Sequence, residues 1–437
     1  MVYKLSSSDS KNLALTIYND NFAVVKETRS FTPQENETVV HYLDVAKQIE
    51  TNSIIVSGVE VKELNYDFDL VDKSKLLEKY IDHIVFLLDS HTNERSEVRL
   101  LSVSGGIVVE DIQTKEIKLD PLGELILPKL PNELIVKPAL VWKIKPTTAH
   151  IIDVSYMTKG LFWESNYVLN LKEQTFDLSG WVEIQNYSGT TYHDAMIKVL
   201  AGDVNRVEEE TRYDEDFTVY NSVESMEENF NEKIFGDYHI YTLKEPTTLK
   251  DNQAKQMKFI QVNNGTFKRY YEIDDYTNNP KIMIEIKNTP ANNMGIPLPK
   301  GKIKVYQEDN EEKATEFIGE DRIGHTTKDE KITLYIGNAF DIVCESKILK
   351  RYKMKNSEYV QHEYVLKNQK VESAQIKITH YISERFWKIE ESTDEFIEKD
   401  ANHIEFWVEV PPGEEKTIGF GITYDRALYM EIKKIED

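Results

Sequence analysis

Cysteine is almost absent from this 437-residue chain, where Cys344 is the single thiol. One thiol excludes an intramolecular disulfide framework and any all-cysteine metal site. Glycine (18) and proline (13) are also sparse. Positive charge is in deficit, with 53 Lys and Arg against 76 Asp and Glu and a formal net charge of −23. That balance argues against a sequence-independent grip on nucleic acid or an anionic membrane, since both need Lys/Arg stripes. Long apolar runs are missing as well. The best, Ile84 to Leu88, is one strand long, far short of the roughly 18 residues of a membrane span. Met1 to Lys11 contains no apolar core of signal-peptide length, so a soluble, cytoplasmic protein is expected, with non-classical release left open. The triplets at Asn36, Asn186 and Asn264 then carry no glycosylation meaning, because that chemistry needs a secretory route.

What is present points to β-structure. At 40% apolar and 11% aromatic residues the chain is too hydrophobic for a disordered acidic polymer, and its length implies two to four packed domains. Apolar and polar residues alternate with period two, as in half-buried strands: Ile332, Leu334 and Ile336 share one face, as do Phe406, Val408 and Val410. Asn263-Asn264-Gly265 predicts a tight hairpin between strands Gln256 to Val262 and Phe267 to Ile273. A short helix is expected through Leu76, Leu77 and Tyr80, capped by Asp72 or Ser74. Residues 203 to 233 hold eleven acids against Arg206, Arg212 and Lys233, a local charge of −8. Val223, Met226, Phe230 and Ile234 keep helical spacing there, which predicts an acidic loop followed by an amphipathic helix.

One pattern recurs three times: a strand ending in Asn (Asn186, Asn288, Asn368), then a strand of the form Ile-Lys-Val/Ile (Ile197-Lys198-Val199, Ile303-Lys304-Val305, Ile376-Lys377-Ile378). Asn tolerates left-handed backbone at a strand's end, so each copy reads as a pair of sandwich strands. The expected fold is all-β, with multiple β-sandwich, immunoglobulin-like units, a small barrel-like insert and one or two short helices. The expected divisions are an N-terminal strand group (1–70), a barrel-like insert (71–133), a central sandwich (134–275) and a C-terminal immunoglobulin-like sandwich (276–437).

Longer motifs carry a family resemblance. They are Thr16 to Val25, Pro138 to Trp142, Val154 to Tyr167, Gly180 to Glu183, Ala201 to Val207 and Leu249 to Gln256. Together they resemble the large bacterial family that shares a conserved domain with the mucoidy inhibitor A-like proteins. The resemblance covers nearly the whole chain and implies a β-rich, multi-sandwich fold, with no reaction or catalytic residues to carry over. Many relatives look exported, whereas this sequence lacks a signal peptide, which weakens any envelope role.

Catalytic chemistry lacks its usual spacings. No two of the ten histidines are two or four residues apart, so no local zinc clip exists. His380, in phase with Ile376, Ile378 and Ile382, reads as a hydrogen-bonded imidazole on a strand face. Cys344 lies beside Asp341 and Glu345, acids that raise a thiol's pKa, and reads as structural. Gly295 to Lys302 imitates a phosphate loop but has two prolines and Ile303 in place of the hydroxyl residue. Asp67 with Asp69, and Asp214 with Asp216, read as solvated faces.

Two interaction candidates remain. Glu208, Glu209, Glu210, Asp214, Glu215 and Asp216 form an acidic loop for a basic partner or cations. Phe162, Trp163 and Trp181 are a candidate aromatic groove, weighed against core packing. The leading expectation is a non-enzymatic structural or interaction protein, self-associating or binding a protein partner, with no cofactor, nucleic acid or membrane. A carbohydrate-binding protein tied to surface polysaccharide is the second reading. A hydrolase with a site assembled across domains is the third.

Overall fold

A computed structural model describes residues 2–32, 38–67, 73–89, 92–128, 139–202, 204–206, 230–235, 238–274, 277–309 and 314–425. The chain is all-β, built from several open sheets, and Lys73–Lys79 is the one α-helix among the described residues. It divides into two compact units, one of Met1–Trp163, Ile184–Leu200 and Thr242–Lys255, the other of Glu164–Glu183, Ala201–Tyr241 and Gln256–Asp437.

In the first unit, period-two alternation becomes sheets with one buried face. Phe22–Ser30 pairs antiparallel with Ser10–Ile17 on one side and with Ile151–Lys159 on the other. Tyr192–Ala201 joins Ser10–Ile17 in parallel, and Ile55–Ser57 closes the far side. A second sheet orders Val2–Leu5, Thr38–Leu43, Ala139–Ile144 and Val61–Asp67. Tyr42 and Trp142, both fully buried, stack there at 5.1 Å.

The expected barrel-like insert is instead an open five-stranded antiparallel sheet, ending in Ile117–Leu119 at one edge and Glu124–Ile126 at the other. Three-residue edge strands are too short to reach round and pair with each other. Its core is small, with Tyr80, Val85, Leu87, Val98, Leu100 and Val109, and the predicted helix packs Leu77 against it.

In the second unit, Ala374–Tyr381 and His403–Val410 form one layer, and Ile342–Lys353, Ser357–Asn368, Glu415–Asp425 and Trp387–Ser392 form another. Ile376, Ile378, Phe406, Leu366, Phe420 and Ile422 fill the space between these layers as one sandwich core.

Three local expectations are corrected. Gln253–Asp274 runs as a single 22-residue strand through Asn263-Asn264-Gly265, with no hairpin. Asn264 does take positive φ (56°), but its N–H is captured by Asp177 Oδ1 on the neighbouring strand. A Cβ on Gly265 would lie 2.4 Å from Phe176, so the glycine is there to admit that ring. A tertiary contact overrides the local turn signal.

The recurring asparagines are not left-handed either. Asn186, Asn288 and Asn368 are buried and act through their amides. Asn368 Nδ2 donates to Glu372, Val410 and Pro411 carbonyls while its Oδ1 accepts from Lys370 N–H. Asn186 Nδ2 donates to Thr190, Leu249 and Lys250 carbonyls. Asn288 Nδ2 donates to Ile296 and Thr327 carbonyls, and its Oδ1 accepts from Gly295 N–H. Each is a polar plug that satisfies loop carbonyls where a strand ends.

Finally, Phe230–Phe235, expected at the end of an amphipathic helix, is a strand. The rest of that predicted helix lies outside the described residues.

Candidate interaction surface

Alternation decides the fate of the aromatic candidates. Along Leu161–Leu171, Trp163 points inward, is 1% exposed and donates its indole N–H to Leu200 O at 3.1 Å. Phe162, one residue earlier, faces the other way and is half-buried against Tyr187, with ring centroids 6.3 Å apart. The tight turn before them depends on Gly160, whose φ of 84° and contact with the Tyr187 backbone leave no space for a Cβ. Trp181 belongs to the second unit, half-buried with the Lys258 ammonium 5.3 Å from its ring. The acidic candidates Glu208, Glu209, Glu210, Asp214, Glu215 and Asp216 lie outside the described residues.

The first unit has a cleft of about 750 Å³ on the outer face of its main sheet. Register builds it from cross-strand rungs: Ala14, Lys26, Ser155 and Ile55 form one, and Asn12, Thr28, Asp153 and Ser57 the next. Thr28 Oγ1 donates to Asp153 Oδ1 at 2.5 Å. Ser7, Ser10, His193 and Asp194 line one end, while Leu13, Ile55, Val154 and Met196 add apolar surface, so the lining is mixed.

On the buried side of the same strand sits an ion pair. Arg29 Nη2 donates to Glu27 Oε2 at 2.7 Å, and Tyr42 OH donates to the same oxygen at 2.8 Å. Arg29 Nη1 reaches the Leu5 and Leu43 carbonyls, and its guanidinium lies 3.7 Å from the Tyr42 ring centre. Burial opposes the Arg29 charge, but Tyr42 and Glu27 outweigh it and hold the group more firmly protonated than usual. Burial pushes the Tyr42 phenol well up, with Glu27 adding to it. This network ties one sheet to the carbonyls of another and is structural chemistry.

The second unit presents a different surface. Ile342–Lys353 is the terminal strand of its four-stranded sheet, with Ser357–Asn368 as its ladder partner. Its first residues enter the core, where burial and then Glu345 push the Cys344 thiol up to about 12, as expected for a structural thiol. From Glu345 to Lys353 every residue is exposed, Ile348, Leu349 and Tyr352 included. In the sequence this is the basic stretch Lys347-Ile348-Leu349-Lys350-Arg351-Tyr352-Lys353-Met354-Lys355, which the chain's net charge of −23 conceals.

Other sequence candidates fall into the fold. His380 is buried, within 2.8 Å of the Tyr364 hydroxyl through Nδ1. His403 pairs with Asp400 at the surface. Among the described residues no group of three or more His, Cys, Asp or Glu is placed to hold a metal ion, and no helix is long and apolar enough to cross a membrane. No protein-family model matches the chain, and no curated protein matches it.

Proposed function

We propose that the chain is a structural or interaction protein that engages other polypeptides by adding strands at its exposed sheet edge. The observation that carries this reading is the terminal strand Ile342–Lys353, long, exposed along three quarters of its length and apolar at Ile348, Leu349 and Tyr352. An edge of that kind offers a row of backbone donors and acceptors to an incoming strand. Kinship with the mucoidy inhibitor A-like family belongs to the same proposal, carried by the motifs from Thr16 to Gln256.

The test is selection of random linear peptides on the intact chain, followed by hydrogen exchange of the complexes. Protection of the amides from Glu345 to Lys353 supports the reading. Selected peptides that protect other regions, or a selection that yields none while electron microscopy shows only isolated particles, refutes it.

Carbohydrate recognition is a second reading, favoured by the mixed cleft of the first unit, whose apolar surface is studded with hydrogen-bonding side chains. Ser10, Asn12, Thr28, Asp153 and Ser155 supply the kind of groups that hold sugar hydroxyls. A glycan panel with wild type and Asp153→Ala tests it. Trp163→Ala is the wrong probe, since that ring is packed inside.

A further inference from the structure

Resting on the strand-addition reading, we propose that the edge Lys347–Lys355 takes an extended acidic segment of another protein. Five cations (Lys347, Lys350, Arg351, Lys353, Lys355) and no acid fall in this stretch of a chain whose net charge is −23. Two cations are engaged: Lys347 with Glu363 at 2.7 Å and Arg351 with Glu358 at 3.5 Å. The side chains of Lys350, Lys353 and Lys355 make no hydrogen bond or ion pair among the described residues.

Lysine on an edge strand also serves to repel unwanted strands. That purpose does not account for the apolar residues interleaved with it, where Ile348, Leu349, Tyr352 and Met354 are each 46–57% exposed. Lysine with exposed apolar side chains rejects a like-charged strand and accepts an oppositely charged one. A second copy pairing edge to edge would set these cations against each other, so the homotypic contact is disfavoured.

Register adds detail. A bulge at Leu349 separates two regular stretches, and the outer one pairs Lys350 with Gln361, Arg351 with Val360, Tyr352 with Tyr359 and Lys353 with Glu358. Lys350 and Tyr352 share one face, while Arg351 and Lys353 share the other. Cations on both faces call for acids on both faces of the incoming strand, with an apolar residue opposite Tyr352, itself stacked on Tyr359 with ring centroids at 6.1 Å.

The probe is a fluorescent, end-capped peptide of Glu and Asp interrupted by two Val, titrated into the full chain and followed by anisotropy. A second peptide of equal charge carries Pro at alternate positions, which removes the ladder donors. Binding of the first is expected to weaken at least about tenfold with Lys350→Glu/Lys353→Glu, with the Pro peptide, and on raising salt to about 0.5 M. Lys353→Glu sets a carboxylate opposite Glu358, so the double variant is expected to melt slightly below wild type, whereas Lys350→Gln/Lys353→Gln, which adds no like charge, is expected to melt with wild type and still to bind the acidic peptide more weakly.

Equal binding of both peptides would overturn the proposal, as electrostatic adsorption without strand addition. So would an unchanged affinity in the charge-reversed variant, or self-association of the chain that the same reversal abolishes. If random selection yields uncharged peptides on this edge while the acidic probe fails, the acidic partner falls and the strand-addition reading stands.

Discussion

Replacing Glu27 by Gln isolates one charge in the most tightly built part of the first unit. The substitution keeps shape and an acceptor oxygen for Tyr42 and Arg29 but removes the negative charge. Arg29 then remains 1% exposed, still bonded to the Leu5 and Leu43 carbonyls, with no counter-charge. Breaking a buried ion pair from one side costs about 3–5 kcal/mol, because the remaining charge keeps its desolvation penalty. The retained amide hydrogen bonds place Glu27→Gln toward the lower figure, about 3 kcal/mol. In a unit of about 150–250 residues each kcal/mol shifts Tm by about 2–4 °C, so the transition is expected to move down by about 6–12 °C. Calorimetry of the full chain reads this directly, and urea denaturation gives the free energy independently. Arg29→Met in the Glu27→Gln background removes the stranded cation, so the double variant is expected to fall short of the sum of the single losses. Loss below about 1 kcal/mol for Glu27→Gln, or strict additivity, would refute the claim that the pair is a coupled buried unit.

Asn368→Ala leaves the buried carbonyl of Val410 without its Nδ2 donor, which costs about 1–3 kcal/mol, while the part-buried Pro411 carbonyl loses less. Urea titration is expected to show a loss well above that of a surface change, and Asn368→Asp, which keeps the acceptor, is expected to behave like alanine. Gly265→Ala drives a methyl into Phe176 and is expected to destabilise by about 1–3 kcal/mol, with the near-ultraviolet aromatic signal altered. Asp111 accepts N–H bonds from Thr114 and Gln113 and pairs with Lys118, which together hold its carboxyl down at about 2. Its folded pKa lies below the unfolded value, so its contribution is fully present above about pH 4 and lost as pH falls toward 2; Asp111→Asn is expected to flatten that part of the acid-unfolding profile. Cys344 is expected to resist a thiol reagent at neutral pH in the native protein and to react at the rate of unfolding in urea.

Much of the fold is legible because burial imposes a period on the sequence. Ile332, Leu334 and Ile336, and Phe406, Val408 and Val410, are all buried on the faces that alternation assigns them. His380 is likewise placed by phase, but its partner Tyr364 is sixteen residues away on another sheet, and no local pattern names it. Asn263-Asn264-Gly265 has every local mark of a hairpin, yet Phe176 and Asp177 on a distant strand decide its use. The recurring asparagines stand out as a pattern in the sequence but their mechanism does not, because backbone tolerance is a local property and carbonyl capture is not. Glu27 and Arg29 were readable in principle: they keep phase with Ala23 and Val25 on a buried face, and two opposite charges in that phase signal an internal pair. For the surface, phase says which side chains are exposed, while the strand's position at the sheet edge comes only from topology.

Charge in this protein therefore has to be read by location and partner, since the sum of −23 hides opposite roles. Buried cations are answered by acids: Arg29 by Glu27, and Lys377 by Glu272 at 3.0 Å and Glu405 at 3.3 Å. Burial opposes the Lys377 charge, and the two carboxylates more than restore it, leaving the ammonium more firmly protonated than usual. Such groups cannot change without changing stability. Lys350 and Lys353 differ on both counts, being exposed and unpartnered among the described residues, and exposed charges contribute little to the folded state. Neutralising them reads binding with folding left intact, whereas a substitution at Glu27 reads folding. That separation makes the edge strand testable by removing the lysine charges, since a loss of binding can then be told from a loss of structure in the same sample.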